Sequence, residues 1–325
     1  MNYPKISIVT PSFNQAQFLE ETILSVINQN YPNLEYIIID GGSTDGSVEI
    51  IKKYEKYLTY WVSEPDDGHA HALNKGFEKT TGEIMAWLNS DDKYFPWTFK
   101  TAAEIFTEYL DVNWITGYQS AIDAQGRLCD IYKTCVNVFD RIFRHKTFIQ
   151  QESTFWRRSL WEKSGAHISD DYKLFIDGEL WARFFQMDKL WTIDRVIGGF
   201  RFHVQNRGFT QRAELLKESR EISVNLYNSL SPEYKKLCDS IRKYRIFRRA
   251  QLIIKTKIRR RLDGIFVLRL LPEFLYRRLY YFLLFRCYKK AIGQEQSSPS
   301  SRLMDYCLLN YIDGKWVKNF KEYTV

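Results

Sequence analysis

The sequence has few cysteines and no pattern among them. Cys129, Cys135, Cys238, Cys287 and Cys307 are odd in number and lack CxxC spacing. That excludes a disulfide framework and argues against zinc, so buried or free thiols are expected. No run of about 18 apolar residues occurs, and no bilayer-spanning helix is expected. The opening MNYPKISIVTPSF has a short apolar run and nothing like a cleavage site, so no signal peptide is expected and the body is placed in the cytosol. GxGxxG after the first strand, GxxxxGK(S/T) and GxSxG are all missing. Dinucleotide-binding, P-loop and α/β-hydrolase readings therefore lack support. There is no internal repeat, and the one low-complexity stretch, GQEQSSPSS at 293–301, reads as a flexible linker.

What is present is a globular composition: 325 residues, 45% hydrophobic and 26% charged, rich in Tyr and Phe. Such a chain can bury a full-sized core, as one large domain with an appendage or as two domains. Its charge is uneven. Residues 241–290 hold 16 Lys and Arg against Asp263 and Glu273, a local +14 in a chain of net +8, which leaves −6 for the rest.

The first hundred residues alternate strand and helix. ISIVT (6–10), LEYIIID (34–40), YWV (60–62) and GEIMAWLN (82–89) read as buried strands. Leu19, Ile23, Val26 and Ile27 recur at helical spacing, and Ser43 or Thr44 is a natural N-cap for a helix through about Tyr57. Strands separated by single helices imply a parallel sheet, and ligands of such sheets bind outside the strands' carboxyl ends. Those ends carry Thr10-Pro11-Ser12, Asp40-Gly41-Gly42, Ser63-Glu64-Pro65-Asp66 and Asn89-Ser90-Asp91-Asp92. Four polar clusters on one rim point to a site rather than to solvated turns. A phosphate ligand on so acidic a rim needs a divalent cation, and Asp91 and Asp92 are hard oxygen donors suited to Mg²⁺ or Mn²⁺. Alone, such a pair of acids serves as a helix N-cap; the other three clusters favour metal.

Taken together, ISIVTPSFNQAQFLEETILSVINQNYPNLEYIIIDGGSTDGS, SEPDDGHAHALNKG and GEIMAWLNSDD resemble the family 2 glycosyltransferases over residues 5–210. The resemblance implies a GT-A fold, a Rossmann-like, mostly parallel sheet flanked by helices. It implies a nucleotide-sugar donor, UDP-linked, held through Mn²⁺ or Mg²⁺, and inversion at the anomeric centre. Position by position, Thr10, Pro11 and Asn14 match the loop that packs on the nucleotide, and Asp40 the acid that meets the base. Asp66, Asn74 and Lys75 border the nucleotide and diphosphate. Asn89-Ser90-Asp91-Asp92 matches the metal motif with Asn89 replacing its first acid. Asp91 is then the metal ligand, with Asn89 and Asp92 beside the nucleotide. Gly68 permits a tight turn; His69 and His71, two apart on a helix, do not share a metal and read as rim residues.

Inverting transfer needs a carboxylate to take the proton of the attacking hydroxyl. By the resemblance, Asp177 in YKLFIDGELWARFF is that base and Glu179 the runner-up, although a helix-start Asp also serves the helix dipole. Trp181 reads as packing or as a wall for a sugar. His203 matches a histidine that completes the metal site in some relatives, against a satisfied structural role. Arg201 and Arg207 face diphosphate or form surface salt bridges. The expected organisation is a catalytic domain at 1–212, a basic amphipathic helical region at 213–292, and linker and tail at 293–325. The basic region is expected to lie on an anionic membrane, against a packing cap or nucleic-acid binding. The expected partners are the donor, a saccharide or lipid-linked acceptor and that membrane's inner face, with no nucleic acid. The rival to an enzyme is an inactive nucleotide-sugar-binding relative acting as a scaffold.

Overall fold

A computed structural model of the chain describes residues 3–133, 135–143, 148–240, 242 and 306–321. The strands are β1 (Ile6–Ser12), β2 (Leu34–Asp40), β3 (Tyr60–Ser63), β4 (Ile84–Trp87), β5 (Lys93–Tyr94), β6 (Trp114–Thr116) and β7 (Gln119–Ile122). They continue as β8 (Leu128–Tyr132), β9 (Thr154–Arg157), β10 (Trp191–Ile193), β11 (Gly198–Arg201), β12 (Tyr306–Ile312) and β13 (Lys315–Lys321). The helices are α1 (Ala16–Ile27), α2 (Ser47–Tyr54), α3 (His69–Glu78), α4 (Thr98–Glu108), α5 (Val138–Phe143), α6 (Arg158–Lys163), α7 (Ile176–Met187), α8 (Arg207–Thr210) and α9 (Arg212–Ser229).

Nine strands form one sheet in the order β13-β12-β10-β6-β9-β4-β1-β2-β3. Its pairs are parallel except at β9 and between β12 and β13. This is the α/β architecture expected: β1 and β2 are buried along almost their whole length, as continuous β-branched runs require in a sheet covered on both faces. The order β3-β2-β1-β4 reverses direction between β1 and β4, which opens a crevice at their carboxyl ends. A second sheet, β5-β11-β7-β8, stands beside it. β5 follows directly on Asp92, and Gly198 and Gly199 of β11 pair with Tyr94 and Lys93 of β5. The chain leaving β11 is thereby drawn past the Asn89–Asp92 loop.

Two expectations are corrected. α2 begins at Ser47, not after Ser43 or Thr44. Asp45 Oδ1 accepts from Ser47 N and Oγ at 3.0 and 2.7 Å, so the turn is closed by Asp45, while Ser43 and Thr44 bond toward Asp40 and Asn14. Residues 306–321, expected as tail, form the β12–β13 hairpin at the sheet's edge, with β12 parallel to β10. Asp313 and Gly314 turn it with φ of 50° and 79°, the left-handed pair that a two-residue hairpin needs. Lys318 secures it, lying over Tyr109 and Trp191 and bonded to Asp111 at 2.5 Å.

By contact the chain divides into two units. The first is Met1–Leu226 with Met304–Glu322, so it passes the expected boundary at 212. Of the second, Tyr227–Leu303 with Tyr323–Val325, the described residues hold the end of α9 and a helix over 232–240. Most of the basic region, 243–292, lies outside the described residues. Among those described, no helix is long and apolar enough to cross a membrane.

Candidate active site

The rim at the β1/β4 crevice is built by its loops tying one another. Asn14, with φ of 51°, donates its N–H to Ser43 Oγ at 2.8 Å and accepts from Thr44 N at 3.0 Å. Thr10 is buried, its hydroxyl 3.1 Å from that of Tyr36, and Pro11 is buried beside it. The Asp40 carboxylate is also buried and fully engaged. It accepts from Gly42 N, Ser43 N, Ser43 Oγ and Ser63 Oγ at 2.6–3.1 Å. Asp40 thus shapes the loop after β2, and its oxygens are spoken for.

A different carboxylate stands free to meet a ligand there. A Cβ built on Gly41 would lie 2.8 Å from Asp66 Oδ2 and 3.3 Å from a ring carbon of Phe13. Asp66 and Phe13 therefore converge on the bare backbone of Gly41. Phe13 is 60% exposed, so its ring face is open to a ligand. Asp66 Oδ1 accepts from Gly68 N at 2.8 Å, and Gly68, at φ 109°, makes the tight turn the sequence implied. Phe13 was missed in the sequence because a lone aromatic in a loop carries no signal of exposure.

The centre of the rim is Asp91. His203 Nε2 stands 2.9 Å from Asp91 Oδ2, both side chains mostly shielded. Asn206 Oδ1 accepts from the His203 backbone N–H at 2.7 Å, which sets its side-chain amide nitrogen 3.0 Å from Nε2. At 2.9 Å the ring nitrogen and the carboxylate oxygen share a proton when Nε2 carries one, and can both turn lone pairs to a cation when it does not. An octahedral cation about 2.1 Å from each of two adjacent ligands separates them by about 3.0 Å, so the pair fits one edge of a Mg²⁺ or Mn²⁺ site. Among the described residues no cluster of three or more such donors exists, which leaves the remaining edges to ligand oxygens or water.

Arg201 braces this pair and does not face the rim. It is fully buried; its N–H donates to Asp92 Oδ1 at 2.8 Å, Nε to Asp91 O at 2.5 Å, and Nη2 to Glu21 at 2.6 Å. Asp92 is buried beneath the rim, and burial with the nearby Glu152 and Asp91 pushes its carboxyl well up. Burial likewise pushes Glu152 up to about 8, with Asp91 and Asp177 adding to it. Asn89 is half-buried, its Nδ2 3.3 Å from Asp92 and its Oδ1 without a partner.

α3 delivers one group the sequence undervalued. Burial, then Arg207, push His69 down to about 4, against Asp91, Asn89 and Asp66. The ring is thus neutral and set among rim residues. His71 instead turns to Asp67, accepting its N–H at 2.9 Å. Asn74 is not free for a ligand: its amide donates to Ile168 O at 2.9 Å and accepts from Ile168 N at 2.7 Å, clamping that loop. Lys75 is paired with Glu64.

The two candidate bases separate cleanly. Glu179 forms a two-pronged ion pair with Arg183 at 2.8 Å. Asp177, at the start of α7, is pushed up to about 6, first by burial and further by Glu218, against Gly178 N–H and Arg141. Trp181 is packing, not a wall: it is 1% exposed and stacks between Trp87 and Trp114 at 5.8 and 5.7 Å. Arg207 is the exposed cation of the pair considered above, and Nη2 donates to Lys173 O at 3.3 Å.

Residues 7–128 match the family described as Glycosyl transferase family 2. The chain is 37% identical over 120 residues to TuaG of Bacillus subtilis, a protein assigned to teichuronic acid biosynthesis as a glycosyltransferase, covering 35% of this chain and 47% of TuaG. It is 43% identical over 95 residues to an uncharacterized glycosyltransferase of Haemophilus influenzae, covering 28% of this chain and 38% of that protein. The chain thus spans less than half the length of these relatives. In fold it is similar to the 1–349 fragment of S. aureus TarS solved with UDP-GlcNAc, at a TM-score of 0.58 and 16% identity, over 72% of this chain and 70% of that one.

Proposed function

We propose that the chain is a family 2 glycosyltransferase that takes a sugar from a UDP-linked donor and passes it, with inversion, to a hydroxyl of a surface polysaccharide or its lipid-linked precursor. What supports this reading is that two unlike carboxyl groups, Asp91 and Asp177, both lie near enough to the buried Glu152 to act on its charge. Asp91 with His203 forms the edge of a cation site, and Asp177 is held near neutrality with no charge-paired neighbour as close as that of Glu179.

In the step, the acceptor oxygen bonds to the anomeric carbon as the bond from that carbon to the diphosphate oxygen breaks. The hydroxyl proton passes to Asp177, and the nucleoside diphosphate leaves. Held near 6, Asp177 is ionised at neutral pH while keeping more basicity than an ordinary aspartate. Asp91 and His203 would hold the divalent cation, which when bound supplies positive charge against the leaving diphosphate. Arg207 adds a cation on the same rim. Phe13 offers the base a flat face, and Asp66 an acceptor for its N–H.

The match to TuaG supports an envelope polysaccharide as the acceptor class. Peripheral attachment to an anionic membrane rests on the +14 at 241–290. A panel of UDP-sugars incubated with Mn²⁺, without acceptor, tests the reading by released UDP. Slow, chelator-sensitive release from one donor is expected. Release from none while UDP still binds would leave the nucleotide-sugar-binding scaffold in its place, and loss of UDP binding as well would overturn both readings.

A further inference from the structure

α9 starts where the catalytic domain was expected to stop, yet Glu218 reaches back into that domain. One carboxyl oxygen accepts from Lys173 N at 3.0 Å; the other accepts from Leu174 N and Phe175 N at 3.0 and 2.9 Å. These N–H groups belong to the residues just before α7, whose own N-cap position offers no side-chain bond. Glu218 is buried, so loss of its oxygens would strand the buried Phe175 N–H and free the part-buried Lys173 and Leu174 N–H groups. Asp177 follows two residues after Phe175.

The same helix also holds Arg141 of α5. Its Nη1 and Nη2 donate to Ser219 Oγ and O at 3.1 and 3.2 Å, and Ser223 Oγ donates to Arg141 O at 3.0 Å. The Arg141 guanidinium lies 4.7 Å from the Phe175 ring centre. α5, α9 and the start of α7 therefore meet in one junction. The charged groups that face Asp177 are Arg141 from α5, Glu218 from α9 and Glu152 from the turn before β9.

We infer that Glu218 is a positioning residue for Asp177: by pinning residues 173–175 it fixes the turn that presents the Asp177 carboxyl to the acceptor. The inference rests on the reading of Asp177 as the base. It separates from mere structural support because Glu218 also places a like charge near Asp177, and its removal shifts the base downward.

The test uses the full-length chain. Glu218→Ala removes every acceptor, and Glu218→Gln keeps the shape while removing the charge. Expected for Glu218→Ala is a fall in kcat of about tenfold or more with donor KM within about twofold, the pattern of a misplaced reacting group. Glu218→Gln should move the acid limb of the rate profile to lower pH. Hydrogen exchange at amides 173–175 should quicken in both variants; if Glu218→Ala does not fold, Glu218→Gln carries the exchange and pH arms. Unchanged exchange overturns the clamp, even in a chain that transfers no sugar. Faster exchange with unaltered kcat and an unmoved acid limb overturns the positioning role. Full activity of Asp177→Asn would overturn the base reading and the positioning role with it, leaving exchange to judge the clamp.

Discussion

Asp91 and His203 are 112 positions apart in sequence, and their side chains come within 2.9 Å because β11 pairs with β5. If that pair is the edge of a cation site, Asp91→Ala and His203→Ala should each remove the UDP affinity gained on adding Mn²⁺. A loss of about tenfold or more is expected, as for perturbed metal shells. Calorimetry with and without metal reads it, and wild-type metal dependence in both variants would refute the pairing.

Asp177→Asn keeps shape and removes proton acceptance, so transfer should fall by about 10²-fold or more with donor binding unchanged. Glu179→Gln should leave transfer within a few-fold, because Glu179 is occupied by Arg183. The reverse ranking would move the base one turn-step along α7.

Burial holds Asp177 up at about 6, and two consequences follow with opposite uses of pH. The rate should fall as pH drops through about 6, since the base must be ionised. Stability runs otherwise. A carboxyl whose folded pKa is raised costs the fold nothing below about pH 4, where it is protonated folded and unfolded alike; the cost grows as pH rises from about 4 to about 6 and is complete above that. Asp177→Asn should therefore stabilise the fold at pH 7.5, by up to about 3 kcal/mol and with a higher melting temperature, and lose that gain toward pH 4. A gain independent of pH would show that ionisation is not its source.

Gly41→Ala should displace Asp66, whose oxygen would lie 2.8 Å from the new Cβ, and weaken UDP binding by about tenfold. Phe13→Ala should cost a similar factor, the order of one stacked base. Phe13 is exposed, so a melting temperature near that of wild type should accompany Phe13→Ala.

The basic region is bracketed by α9 and the β12–β13 hairpin. Excising 243–305 and bridging the gap with a Gly/Ser linker should leave UDP binding intact and abolish sedimentation with anionic liposomes. Cutting the chain after Gln211 should instead leave it insoluble, since Glu218 and the sheet-edge strands go too. A soluble, UDP-binding 1–211 fragment would contradict the first unit as described.

Much of this was legible in sequence because β1 to β4 are short and uninterrupted, and their polar ends fall on one rim by topology alone. The Asp91 and Asp177 readings came from the resemblance to the family 2 glycosyltransferases. What escaped was decided by partners far along the chain. Arg201 reads as a rim cation until Glu21 and three carbonyls are seen to bury it. Asn74 reads as a ligand until Ile168 claims both ends of its amide. Asp40 reads as the acid that meets the base until Gly42, Ser43 and Ser63 are seen to bond its carboxylate. The Asp313-Gly314 turn was a local signal of a hairpin and lay in plain sight.

The hairpin also sets an order of events. Asp194, just past β10, touches Asn310, 116 residues later. At about 5–20 residues per second, on the order of ten seconds of synthesis separate the two. For that interval β10 is an open edge, with Trp191, Thr192 and Ile193 offering backbone bonds to any passing strand. The basic stretch emerges from the ribosome within the same interval, before the sheet is closed. A nascent chain of this kind depends on being shielded late in its translation, and synonymous changes that slow the ribosome between 195 and 305 should lower its soluble yield.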